Sequence, residues 1–209
     1  MGAFFLRVCL CLPVLLVAWY WSAHWLAVPV SGLASAAMRH LFPDWVNAAE
    51  LSGTTMALLT DLRAVVPGSP QLALLVPEAS YLLYGYGLPF YLALLLASRA
   101  RLLLWKALAG SLLLLPFQVT GVCFDWLKQA VFSGGPYAVH RIGFAAWQSE
   151  LVALGFQFSS LVLPSLVPVL LWLALDRRFA AAVFMEGWLS GAAGNLPEKK
   201  AEQTDSLRD

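Results

Sequence analysis

Residues 156–175, FQFSSLVLPSLVPVLLWLAL, contain no charged side chain over twenty consecutive positions. A helix of about 20 apolar residues matches the roughly 30 Å hydrocarbon core of a bilayer. The whole chain has a composition to match: 60% of its 209 residues are hydrophobic, 12% are charged, and the mean hydropathy is +0.74. Soluble domains carry about 25% charged residues. The stretch therefore predicts a membrane-spanning helix, and the composition excludes an ordinary soluble domain.

Three further stretches are long and apolar enough to span a bilayer, at about residues 8–30, 81–98 and 102–124. The first exceeds the roughly 7–15 apolar residues of a signal peptide, and it ends in bulky aromatics, so we expect it to be retained. The sequence predicts an all-α membrane protein with four transmembrane helices. A net charge of +1 offers no basic surface to a nucleic acid.

The positive charges predict the orientation of these four helices. Nine Lys and Arg residues would lie on the side of both termini, and four on the other side. Because cytoplasmic loops carry the excess of Lys and Arg, both termini are expected in the cytoplasm. The strongest topology anchors lie in the turn between the second and third helices and directly after the fourth: Arg99, Arg101, Arg177 and Arg178.

The remaining segments complete the predicted organisation. After the first transmembrane helix (1–30) comes an extracytoplasmic segment (31–79), with an interfacial helix that Pro43 ends. Its residues 54–76 contain two β-prone runs around PGSP, which indicate a β-hairpin. A three-helix membrane region (80–176) follows, with an outer loop at 125–148. The last part (177–209) is predicted to be a cytoplasmic interfacial helix and a disordered tail.

One constellation has the residue types of thiol catalysis. Cys123, His140 and Arg141 all fall on the extracytoplasmic side of the predicted topology. A thiol nucleophile, a base and a cationic donor for an oxyanion are what a membrane thiol peptidase or transpeptidase needs. A buried structural cysteine and an interfacial His-Arg pair fit the same residues, and we consider that interpretation the stronger one.

Polar residues in or near the predicted helices form a second group. Gln118, Gln157 and Glu150 are expected to pack inside the membrane region, as structural contacts between helices. Asp125 and Lys128 have the spacing of an ion pair on one helix. The three cysteines and three histidines show no metal-ligand spacing, and no nucleotide-binding pattern occurs, so we expect neither metal nor cofactor.

Several stretches of the chain, spanning about residues 40–175, resemble one family. They are FPDWV, TTMALLTDL, YLLYGYGLPFYLALLLAS, LLLLPFQVTGVCFDWLK and GFQFSSLVLPSLVPVLLWLAL. Together they are similar to the exosortase H-associated membrane proteins of Gram-negative bacteria. The resemblance implies a companion of an exosortase, which is a membrane thiol transpeptidase that processes C-terminal sorting signals of exported proteins.

The resemblance also argues against the exosortase itself. In exosortases the cysteine precedes a small residue and a glycine, and the arginine and histidine lie apart on later helices, whereas here Phe124 and Asp125 follow Cys123. We therefore expect a non-enzymatic accessory or scaffold protein of the bacterial inner membrane. Its expected partners are the lipid bilayer and either a membrane enzyme or exported substrate proteins. A thiol enzyme and a structural subunit of another membrane complex remain the alternatives.

Overall fold

The computed structural model describes residues 2–65 and 72–176. Three of its helices are long and apolar enough to cross a membrane: Phe4–Leu41, Leu103–Phe132 and Ala146–Leu175. A shorter apolar helix covers Tyr81–Ala97. The protein is therefore mostly helical and membrane-embedded, as predicted. The interfacial helix and tail predicted at 177–209 lie outside the described residues.

The first helix, α1 (Gly2–Leu41), is a single rod of 40 residues, about 60 Å long at 1.5 Å per residue. The separate interfacial helix predicted after residue 30 does not form, because residues 31–41 continue α1. One side of the second half of α1 is fully buried, and its side chains recur every three or four positions. They are Ala23, Ala27, Val30, Ala34 and Met38. This continuous buried stripe leaves no reason for the helix to break.

Five short strands follow α1, where the sequence predicted a single hairpin. They are β1 (Val46–Ser52), β2 (Thr55–Thr60), β3 (Arg63–Val65), β4 (Leu72–Leu74) and β5 (Glu78–Ser80). β1, β2 and β5 form an antiparallel sheet in that spatial order, and β3 pairs antiparallel with β4. The description all-α therefore understates the sheet, and residues 54–76 are shared between the two sheets.

The membrane helices continue with α2 (Tyr81–Gly85), α3 (Gly87–Ala97), α4 (Leu103–Phe132), α5 (Gly135–Ile142) and α6 (Ala146–Gln157). A π-helical turn at Phe158–Val162 joins α6 to α7 (Leu163–Leu175). The outer loop predicted at 125–148 is thus largely helical. It holds the end of α4, all of α5 and the start of α6.

The two ends of the bundle differ. At one end, which we call the turn end, Phe4 of α1 stacks on Trp172 of α7 with ring centroids 5.5 Å apart. The Asp176 carboxylate there accepts hydrogen bonds from Lys106 Nζ and Ser98 Oγ, both at 2.9 Å. This buried cluster ties the end of α7 to the α3–α4 turn. The strands and α5 lie at the opposite end, which we call the sheet end.

Aromatic rings lie flat against glycines where the helices cross. A Cβ atom at Gly121 would overlap the ring of Tyr84, and one at Gly110 would overlap the ring of Tyr91. Gly155 meets the ring of Phe124 in the same way. Membrane helices pack closely through small residues, because hydrocarbon supplies no hydrophobic force between them.

Gly87 packs against the backbone of another helix instead of an aromatic ring. A Cβ atom there would lie 2.8 Å from the carbonyl oxygen of Pro164. That carbonyl has no helical donor, because the residue four positions later is Pro168, which lacks an N–H group. The glycine allows α3 to approach this carbonyl closely inside the bundle.

We predict that Gly87→Ala lowers the stability of the purified protein by about 1–3 kcal/mol, because overpacking against backbone forces a displacement of α7. Gly32→Ala is the matched control, since nothing lies within 4 Å of the Cβ position of that helical glycine. Thermal unfolding in detergent measures both variants. Equal melting temperatures for the two would contradict the contact.

Candidate functional site

The last turns of α4 fasten the sheet to the helical bundle. The indole Nε1 of the fully buried Trp126 donates a hydrogen bond of 3.1 Å to the backbone oxygen of Met56 in β2. The Gln129 amide bonds to both backbone groups of Glu78 in β5. Its Nε2 donates to the carbonyl oxygen at 2.6 Å, and its Oε1 accepts from the N–H at 3.1 Å. Gln129 thus occupies the place of a neighbouring strand beside β5.

The Asp125 carboxylate supports this attachment. It is buried, and its Oδ1 accepts a 3.0 Å hydrogen bond from Gln129 Nε2. Lys128 Nζ lies 3.9 Å from the same oxygen and 3.8 Å above the ring centre of Phe156. These contacts hold the Gln129 amide in the orientation that it needs to bond to β5.

Two open clefts flank the segment that connects α1 to β1. The first, which we call the β1 cleft, has a volume of about 510 Å³ and lies between the end of α1 and the start of β1. Its lining comprises Ala36, Arg39, His40, Pro43, Val46 and Asn47. Arg39 and His40 are both exposed there. The cleft combines positive charge with the beginning of a strand.

The second, which we call the α5 cleft, has a volume of about 420 Å³ and lies between the connecting segment and the α5–α6 junction. Asp44, Trp45, Arg141 and Gln148 are among the residues that line it. Arg141 Nη2 donates a 3.4 Å hydrogen bond to the backbone oxygen of Asp44. Arg141 therefore connects α5 to the end of α1.

The three residues of the candidate thiol site lie in different environments. Cys123 is partly buried against α1, with its Sγ 3.9 Å from the backbone oxygen of Ala34. His140 is exposed on α5, a helix where the sequence predicted a loop. Within residues 2–65 and 72–176, no hydrogen bond links the Cys123 thiol to His140 or to Arg141. The thiol lies in a helix–helix contact, an arrangement typical of a structural cysteine.

The three residues expected to pack between helices also lie in different environments. Gln118 is buried beside Tyr84 and Pro164, at a small cavity between α2, α4 and α7. Gln157 and Glu150 are both exposed on α6. Which side chains of α6 face outward depends on how the helix packs in the bundle, and a single sequence does not show this.

Two of the four predicted topology anchors lie among the described residues, at the turn end. Arg99 and Arg101 are exposed in the α3–α4 turn, where Arg99 adopts a left-handed backbone with φ of 50°. Arg177 and Arg178 lie outside the described residues. Lys106, one of the nine positive charges on the side of the termini, forms an ion pair with Asp176, which directly follows the fourth apolar stretch, and the sequence analysis did not predict this pair. A carboxylate at the end of a span indicates such a partner.

The part of the chain that the structure describes brings no three His, Cys, Asp or Glu side chains together as metal ligands. The sheet end instead presents a sheet that is attached to α4, with two open clefts beside it.

We predict that Gln129→Leu loosens β5 without unfolding the membrane helices. The variant leaves both backbone groups of Glu78 without their side-chain partner, at a cost of about 1–3 kcal/mol for unpaired polar groups. Amide hydrogen exchange at residues 78–80 is expected to accelerate, while exchange in α3 stays unchanged. Gln148→Leu on the α6 start is the control for the same chemical change, and unaltered exchange at 78–80 in Gln129→Leu would contradict the role given to Gln129.

Comparison with known proteins gives one family for this chain. Neither the curated proteins nor the solved structures give a match. The family described as exosortase H-associated membrane protein matches residues 1–179, which include all residues that the structure describes. The protein belongs to the exosortase H-associated membrane protein family.

Proposed function

We propose that the protein is a non-catalytic accessory or scaffold subunit of an exosortase-type protein-sorting system. The match to the family over residues 1–179 carries this proposal, since the family is described by its association with an exosortase. The sheet end, with its two clefts, is the surface through which the protein contacts the exosortase or its exported substrates. No catalytic residue of its own is required for this role.

The arrangement of thiol, imidazole and guanidinium groups supports an accessory role over an enzymatic one. The Cys123 thiol faces α1, while His140 is exposed and Arg141 bonds to the backbone at Asp44. A catalytic thiol needs a base within hydrogen-bonding reach. We therefore assign Cys123 to helix packing.

The orientation belongs to the same proposal. The protein is a multi-pass protein of the bacterial inner membrane with four spans, Tyr81–Ala97 being the second. Both termini are cytoplasmic, so the turn end faces the cytoplasm and the sheet end faces the extracytoplasmic space. The cluster of Arg99, Arg101 and Lys106 supports this orientation, because all three lie at or near the α3–α4 turn.

A comparison of a clean deletion with Cys123→Ala in the native host tests the function. We expect deletion to block the processing of exported proteins, because the exosortase loses its companion. We expect Cys123→Ala to restore processing, because the thiol only packs. A Cys123→Ala protein that accumulates in the membrane but fails like the deletion would make the thiol enzyme the better explanation. Normal processing in the deletion strain would reject the sorting role itself.

Thiol labelling tests the orientation separately. In a variant without native cysteines, Ser133→Cys reports on the sheet end and Leu102→Cys on the turn end, since both positions are exposed. A membrane-impermeant maleimide added to spheroplasts is expected to label only Ser133→Cys, and Leu102→Cys only after permeabilisation. The opposite pattern would invert the assigned topology.

A further inference from the structure

A small cavity lies inside the membrane bundle, between α2, α3, α4 and α7. It offers about 10 Å³ to the centre of a water molecule, which is room for one water. Gly87, Gln118 and Pro164 are among the residues that line it. α4 carries no charge between Lys106 and Asp125, a stretch of about 27 Å at 1.5 Å per residue. The cavity beside Gln118 therefore lies at a depth where hydrocarbon surrounds the bundle.

Gln118 brings a polar side chain to this cavity without a protein partner for it. The residue is only 5% exposed. In the described part of the chain, no side-chain or backbone group forms a hydrogen bond with its amide. A primary amide carries two N–H donors and a carbonyl acceptor, and burying it unpaired in an apolar medium is strongly unfavourable. The space beside Gln118 is where a partner for this amide can lie.

The carbonyl oxygen of Pro164 is a second polar group at the same place. A Cβ atom at Gly87 would lie 2.8 Å from this oxygen, and both residues line the cavity, so the oxygen borders it. An α-helix would supply the N–H group of residue 168 to the oxygen, but Pro168 has none. Carbonyls freed by proline in membrane helices are satisfied by polar side chains or by ordered waters.

We propose that the cavity holds one ordered water molecule, which accepts a hydrogen bond from the Gln118 amide and donates one to the Pro164 carbonyl oxygen. Two polar partners are enough to hold a buried water. The cavity is too small for a side chain from a partner helix, and a lipid acyl chain cannot bond to the amide. The water joins α4 to α7 inside the membrane, whichever partner the sheet end binds.

Water-edited solid-state NMR of the full-length protein in bilayers of deuterated lipid tests this assignment. Pro164–Ser165 is the only Pro-Ser pair in the sequence. Labelling proline with ¹³C at the carbonyl and serine with ¹⁵N therefore isolates the signal of the Pro164 carbonyl. Magnetisation is transferred from water protons and detected at that carbon. We expect a clear transfer in the wild-type protein, because the water lies within hydrogen-bonding distance of the carbonyl.

Two variants connect the water to Gln118. Gln118→Met keeps an unbranched side chain of similar size and removes the amide, so the transfer to the Pro164 carbonyl should be lost. Gln157→Met is the matched control, because it makes the same chemical change at an exposed position of α6 and should keep the wild-type transfer. If Gln118→Met does not accumulate in the membrane, the wild-type measurement decides alone.

Three results would overturn the proposal. They are the absence of transfer in the wild-type protein, transfer of equal strength in Gln118→Met, and a loss in Gln157→Met as large as that in Gln118→Met. The first would show a dry cavity, and the second would show a water held without the amide. The third would show that either substitution loosens the bundle in general.

Discussion

Hydrocarbon cannot hydrogen-bond to a backbone carbonyl, and the whole bundle is organised around that constraint. Pro164 and Pro168 both withhold N–H groups inside α6–α7. The helix responds with a π-helical turn at Phe158–Val162, where Leu163 N bonds to Phe158 O. Ser160 Oγ adds a 2.7 Å hydrogen bond to the carbonyl of Phe156. Gly87 covers the Pro164 carbonyl from the neighbouring helix. Together these features place the backbone around the two prolines inside the bundle.

The membrane helices also position the sheet at the sheet end. α4 is longer than the roughly 30 Å core of a bilayer requires, and its last turns are used to hold the sheet. Trp126 and Gln129 bond to β2 and β5. α1 supports the arrangement from the other side, since its buried stripe runs without interruption to Met38. The sheet is thus anchored to two membrane helices, and its orientation is set by them.

The sequence predicted the apolar helices well, because lipid imposes a strong compositional signal on every span. It predicted the strands poorly. VNAAELS carries asparagine, alanines and glutamate, which are uncommon in strands, and it becomes β1 through pairing with β2 and the turn at Gly53, whose φ is 61°. The unity of α1 was missed because the residues after position 30 are less apolar than the span before them, which suggested a separate interfacial helix. Exposure of Gln157 and the position of Cys123 against α1 depend on tertiary packing, for which a single sequence holds no signal.

The Gln129 amide beside β5 limits how many chains the sheet can join. Because both backbone groups of Glu78 already bond to this side chain, no further strand can pair with β5 at that residue. Even if the β1 edges of two copies met, the pair would be closed by symmetry and could not extend into a filament. A single glutamine on α4 therefore removes the β5 edge of the three-stranded sheet as a place where copies of the protein could add strand to strand and polymerise.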